Sequence, residues 1–118
     1  MPKEEASVLI VDEEPAFCNA VQQMLCRLVS KIETTTNSLE VLDIVRQDFF
    51  NLVLLDIMMF ENSGLDLLPR IKTVCPDVKI IVISGAGNKD AAIEALRMGA
   101  YDFLSKPLEG SILCHAVR

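Results

Sequence analysis

The stretch NLVLLD, residues 51–56, decides how this chain folds. Its four consecutive apolar residues, Leu52 to Leu55, are too few for a helix and show no polar alternation. Such a run suits a strand covered on both faces, as in the middle of a parallel sheet. The run stops at a carboxylate, Asp56, and three bulky apolar residues follow it, Ile57, Met58 and Met59. An acid between two such runs is costly to bury unless a cation meets it. Asp56 is therefore expected at the carboxyl end of the central strand, carrying the protein's chemistry.

Toward the amino end, SVLIV over 7–11 reads as a first buried strand, ending at Asp12-Glu13-Glu14. Pro15 suits the first turn of a helix, where its missing N–H is no loss. Phe17, Val21, Met24, Leu25 and Leu28 recur at helical spacing and predict a helix over 15–29. KIETTT over 31–36 is β-branched and partly polar, as in an edge strand. Ser38 is expected to cap a helix that turns Val41, Leu42 and Val45 inward and ends near Gln47.

Toward the carboxyl end, Ser63-Gly64-Leu65-Asp66 fits a capping box and starts a third helix with Leu65, Leu68 and Ile71 on one face. Pro69 inside it is expected to bend the helix or delay its regular part, and Pro76 follows its end. KIIVIS over 79–84 is a fourth strand, and Ser84-Gly85-Ala86-Gly87 a flexible turn. Residues 90–98 make a short helix closed by Gly99. A fifth strand over 101–104, a turn at Lys106-Pro107 and a last helix over 108–118 complete the chain. Five strand–helix alternations call for an α/β fold with a parallel sheet covered on both faces. Right-handed crossovers favour the doubly wound, flavodoxin-like order 2-1-3-4-5.

At 118 residues the chain is one domain that buries roughly two-thirds of the surface its unfolded form exposes. Asp and Glu number 17 against 11 Lys and Arg, and no basic cluster interrupts that balance. Binding to nucleic acid or to an anionic membrane is therefore not expected. No stretch approaches the ~20 apolar residues of a membrane span. The amino terminus MPKEEA lacks the basic and apolar regions of a signal peptide, which points to a cytoplasmic protein. Cys18, Cys26, Cys75 and Cys114 form no CxxC pair and His115 stands alone, so zinc-type spacing is missing and reduced thiols are expected.

Open α/β sheets bind ligands beyond the carboxyl ends of their strands. Those ends deliver Asp12 and Glu13 after strand one, Asp56 after strand three, Ser84 after strand four and Lys106 after strand five. Singly, each has an ordinary reading: turn acids, a turn serine, a solvated lysine. Together, three carboxylates in a partly desolvated site repel one another unless they take up protons or meet a cation. Mg2+ suits them, because it takes oxygen ligands and keeps several waters. A metal with open positions accepts phosphoryl oxygens. Lys106 adds a second positive charge and Ser84 a hydroxyl donor. An acid nucleophile, a metal and two donors are the parts of a phosphoryl-transfer site.

VLIVDEEPAF, LVLLDIMM, VISGAG and YDFLSKP, in this order and at these separations, resemble the receiver domain of two-component response regulators. The resemblance covers the chain from about Val8 to its last helix. It implies that Asp56 is the phosphoacceptor and that Asp12 and Glu13 hold Mg2+ with the backbone carbonyl of Met58. It further implies that Ser84 and Lys106, the lysine before Pro107, each contact a phosphoryl oxygen. Phe103 becomes the aromatic switch residue, and its inward rotamer is expected to be populated before phosphorylation, since it has no hydroxyl to favour a wet position. The implied donor is a phosphohistidine on a sensor histidine kinase or histidine phosphotransfer protein. The implied output is a remodelled face of helix four, strand five and helix five, which controls an output domain or partner and carries a homodimer on phosphorylation. GNKDAAIEALRMGAYDFLSKP is most similar to receivers of sigma-54 activators of the nitrogen-regulator kind. On that likeness residues 1–118 form one receiver domain at the amino-terminal part of a longer regulator, a signalling module catalysing only its own phosphorylation and dephosphorylation.

Three departures stand out. Glu13 replaces the usual second Asp of the acidic pair, Phe60 replaces a proline, and Asn62-Ser63 replaces Met-Asp before Gly64. Glu13 motivates a rival reading, a receiver-like protein-binding module that works without phosphorylation. A metal-dependent phosphatase would need a second acid in Asp56-Ile57-Met58, and a flavin carrier would not tolerate Asp12-Glu13-Glu14 beside a phosphate. P-loop and GxGxxG patterns are missing.

Overall fold

The computed structural model describes residues 4–57, 64–85 and 89–106. Along them run β1 (Glu4–Val11), α1 (Pro15–Leu25), β2 (Val29–Thr35), a 3-10 turn at Ser38–Glu40, α2 (Val41–Gln47) and β3 (Leu52–Asp56). Then follow α3 (Gly64–Val74), β4 (Lys79–Ser84), α4 (Lys89–Arg97) and β5 (Asp102–Ser105). The strands pair in parallel in the order β2-β1-β3-β4-β5, the doubly wound arrangement expected from the alternation.

Period-two alternation along each strand divides the core in two. Leu9, Val11, Val53, Leu55, Ile80 and Val82 pack with Val41, Val45, Leu68, Ile71 and Ala95 of α2, α3 and α4. Val8, Ile10, Leu52, Leu54, Ile81 and Ile83 pack with Cys18, Val21 and Leu25 of α1. Each such fully buried branched side chain contributes roughly 1.5–3 kcal/mol. All five residues of β3 are buried, so the run at 52–55 is the central strand because both its faces are covered. Parity also sorts the polar ends. Asp56 continues Leu52 and Leu54 onto the α1 side, opposite Ile83, whereas Ser84 follows Ile80 and Val82 onto the α2–α4 side.

Local boundaries differ from the expectations in several places, among them β2, which runs Val29–Thr35 and not 31–36, and β5, which runs Asp102–Ser105 and not 101–104. α1 stops at Leu25, not near Val29, because residues 26–28 turn and Val29 pairs with Glu4 in the sheet. β1 accordingly begins at Glu4, with an irregular register before Ser7. Ser38 does not cap the next helical segment: the Asn37 side chain accepts from the Leu39 N–H at 2.9 Å, and Ser38 opens the 3-10 turn. Pro69 lies inside α3 as expected, between Gly64 and Val74, and Thr73 Oγ1 donates to its carbonyl at 2.9 Å. Gly99 closes α4 as expected, at φ +109, a conformation open to glycine without a Cβ clash. Met58, Phe60, Ser63, Pro107 and the helix expected over 108–118 lie outside the described residues.

Candidate functional site

Three strand ends meet at the carboxyl edge of the sheet. β1 hands the chain to Asp12, whose N–H donates to the Thr35 carbonyl at 3.2 Å and whose side chain is fully buried. Its Oδ1 accepts the Glu14 N–H at 2.9 Å, a turn that leads into Pro15 and α1. The Asp12 carbonyl accepts from Cys18 Sγ at 3.6 Å, tying α1 beneath the site. Asp56 ends β3 and is 4% exposed; the next residue, Ile57, donates its N–H to the Ile83 carbonyl at 3.1 Å. After β5, the Lys106 N–H donates to the Ser84 carbonyl at 2.8 Å, which fixes the lysine backbone against the end of β4.

From that anchor the Lys106 ammonium reaches back across the sheet. Nζ lies 2.8 Å from Asp12 Oδ2 and 3.3 Å from Asp56 Oδ2, to which it donates a hydrogen bond. Contact with Asp12 is one of charge, because the buried Oδ2 receives no donor at a proper hydrogen-bond angle. Glu14 Oε1 stands 3.8 Å from the same ammonium, and the Phe17 ring lies beneath it at 4.4 Å to the centroid. Burial, the largest single influence on Lys106, works against its charge. The carboxylates of Asp12 and Asp56, close against the ammonium, together outweigh it, so the lysine pKa is raised. Burial first, and then the Asp12 charge, push the Cys18 thiol up, leaving it a poor nucleophile.

The other expected residues are placed less centrally. Glu13 is exposed beside the buried Asp12. Ser84 is buried at the end of β4, in register with Ser105. Phe103 is half-buried and packs against the α2–α4 cluster, in register with Val82. Met58 lies outside the described residues. Among the described residues no three His, Cys, Asp or Glu side chains are grouped for a metal ion. Asp12 and Asp56 nonetheless fit a hard divalent cation, since two buried carboxylates already share one positive charge and Asp12 Oδ2 lacks a well-aligned donor. Glu14 and Phe17 went unread as site residues. Phe17 satisfied the apolar stripe of α1, and only its place in the first turn after the acidic pair, beside the strand ends, signalled more.

The family described as response regulator receiver domain matches residues 8–118. Among curated relatives, the transcriptional regulatory protein ZraR of Klebsiella oxytoca is 36% identical over 109 residues, covering 92% of this chain and 25% of ZraR. The DNA-binding transcriptional regulator NtrC of Azospirillum brasilense is 35% identical over 104 residues, covering 88% of this chain and 22% of NtrC. The crystal structure of the receiver domain of NtrX from Brucella abortus has a TM-score of 0.88 at 32% identity, covering 93% of each chain. The chain thus spans about a quarter of the length of the curated relatives it matches.

Proposed function

The chain belongs to the response regulator receiver domain family, and from that membership we propose that Asp56 accepts a phosphoryl group from a phosphohistidine donor. One observation carries the reading: a lysine ammonium spans two buried carboxylates from separate strand ends, one of them Asp56. A buried acid so paired is held in place beside a positive charge, as a carboxylate nucleophile must be. Its oxygen forms a P–O bond as the donor's P–N bond breaks, and the bonding pair returns to the imidazole nitrogen. Asp12, Asp56, Glu13 and the Met58 carbonyl would hold Mg2+, which would supply charge neutralisation at the phosphoryl oxygens. Lys106 turns its ammonium from the carboxylate toward one phosphoryl oxygen, and the Ser84 hydroxyl donates to another. Movement of Ser84 opens space for Phe103, which shares its side of the sheet, and remodels the face of α4, β5 and the helix expected after them.

In this reading the donor is a sensor histidine kinase or histidine phosphotransfer protein. The altered face controls an output domain and supports a homodimer. Regulation of transcription is proposed from the names of the relatives, ZraR and NtrC.

Incubation with acetyl phosphate and Mg2+, followed by intact-mass measurement, tests the phosphoacceptor. Wild type gains one phosphoryl group, whereas Asp56→Asn and chelated samples gain none. An equal gain in Asp56→Asn removes Asp56 from the role. The exposed Glu13, one methylene longer than the usual acid, favours a second reading in which the domain binds partners unphosphorylated. Failure of wild type to gain mass, with a histidine donor as well as acetyl phosphate, selects it.

A further inference from the structure

We propose that Phe17 is a positioning residue for Lys106: its ring face holds the ammonium close against Asp12 and Asp56, nearer to them than to Glu14. The proposal rests on the phosphoacceptor reading only for its consequence, not for the contact. Lys106 is tethered at its backbone by Ser84, but four flexible methylenes separate that tether from Nζ. Two competing destinations lie within reach. Asp12 and Asp56 are buried, with side chains 0% and 5% exposed, while Glu14 is 67% exposed and its Oε1 stands 3.8 Å from the ammonium. An ammonium drawn to Glu14 sits in water, screened, and no longer at the phosphoryl site.

Phe17 decides between them. Pro15 at the first position of α1 sets the turn that carries the ring, and the ring's apolar body packs against the α1-side cluster. One face therefore meets the ammonium at 4.4 Å to the centroid, within the range of a cation–π contact. The Lys106 side chain is only 22% exposed, so the contact acts where water competes weakly. A leucine at 17 would fill much of the same space but present no π face. The expected preference for the inner site corresponds to about a three- to thirtyfold bias.

The test uses the whole chain and two readouts. In wild type, the methylene protons next to Lys106 Nζ resonate upfield by NMR because of the ring current; Phe17→Leu abolishes the shift and Phe17→Tyr keeps it. With acetyl phosphate and Mg2+, Phe17→Leu takes up phosphate about three- to thirtyfold more slowly. Phe17→Tyr stays near wild type, and adding Glu14→Gln to Phe17→Leu recovers part of the rate. A packing role alone would lower the melting temperature without this pattern of rescue. Wild-type lysine protons at ordinary positions overturn the contact, whatever the variants do. An unshifted uptake rate in Phe17→Leu, with the ring-current change present, overturns the positioning role. A wild-type chain that takes up no phosphate while the lysine protons remain shifted refutes the phosphoacceptor and leaves the contact standing.

Discussion

Asp12, Asp56 and Glu14 surround the single ammonium of Lys106 among the described residues, and this imbalance sets the sign of each substitution. Losing one buried carboxylate relieves repulsion, whereas losing the lysine leaves two buried acids uncompensated. Without Mg2+, Asp56→Asn should therefore be neutral to stabilising, by up to about 1 kcal/mol, while Lys106→Met destabilises by about 1–3 kcal/mol. The second figure is kept below that of a fully buried pair because the lysine side chain is 22% exposed. Urea unfolding of both variants checks the two signs, and a more stable Lys106→Met inverts the account. The pH dependence follows from the raised lysine pKa. A raised folded pKa gives stability that is complete below the ordinary value of 10.5 and is lost as pH climbs through the folded value. The gap between wild type and Lys106→Met should thus hold steady from neutrality to about 10.5 and narrow above it. A gap that closes near neutrality would mean that the carboxylates do not hold the charge.

Helix boundaries are set by atoms that a residue count overlooks, and the segment after β2 shows this. Asn37 takes the Leu39 N–H, while its own N–H donates to Thr35 Oγ1 at 3.1 Å. The Thr35 hydroxyl also reaches Glu40 Oε2 at 3.2 Å, so β2, the turn and α2 are joined through one small polar cluster. Asn37→Ala should cost about 1 kcal/mol, and Asn37→Asp, which keeps the accepting oxygen, should retain most of it. Equal melting temperatures for Asn37→Ala and wild type would mean that the cap does no work. Serine and asparagine at 37–38 are both good caps, so the choice between them was not legible from propensity. The end of α1 was hidden for a different reason. Leu28 and Val29 extend the helical stripe, yet Val29 is also β-branched, and pairing with Glu4 draws it into β2. β3 and β4 were legible because both faces of each are buried, leaving no second reading of 52–55 or 79–84.

Across the whole molecule, the sheet separates the proposed phosphoacceptor from the proposed switch residue. Asp56 lies on the α1 side, while Phe103 packs in the α2–α4 layer. The ends of the strands predicted that Asp12, Asp56 and Lys106 would gather, because parallel strands end at one edge, whereas Glu13 is exposed and Ser84 faces the α2–α4 side. Spacing along the chain said nothing of Phe17 or Glu14, whose roles depend on how α1 crosses that edge. Under the proposed function, a signal from Asp56 to Phe103 has a short path through the end of β4. Ser84 ends β4 on the Phe103 side, pairs with Ser105, and gives its carbonyl to Lys106. A packed core transmits strain, and an element with two discrete arrangements turns a small displacement into a larger one. Exposed Ile93 and Leu96 on α4, and Tyr101 before β5, show that this edge has little packing to lose. Binding of beryllofluoride and Mg2+, as a phosphoryl mimic, should therefore change amide hydrogen exchange mainly over residues 84–106. Exchange in α1 and β2 beyond Phe17 should stay within a few-fold of the free chain. The Asp56→Asn chain should show neither change. Protection changes spread evenly over both layers, or confined to α1 and β2, would place the response elsewhere and remove Phe103 from it.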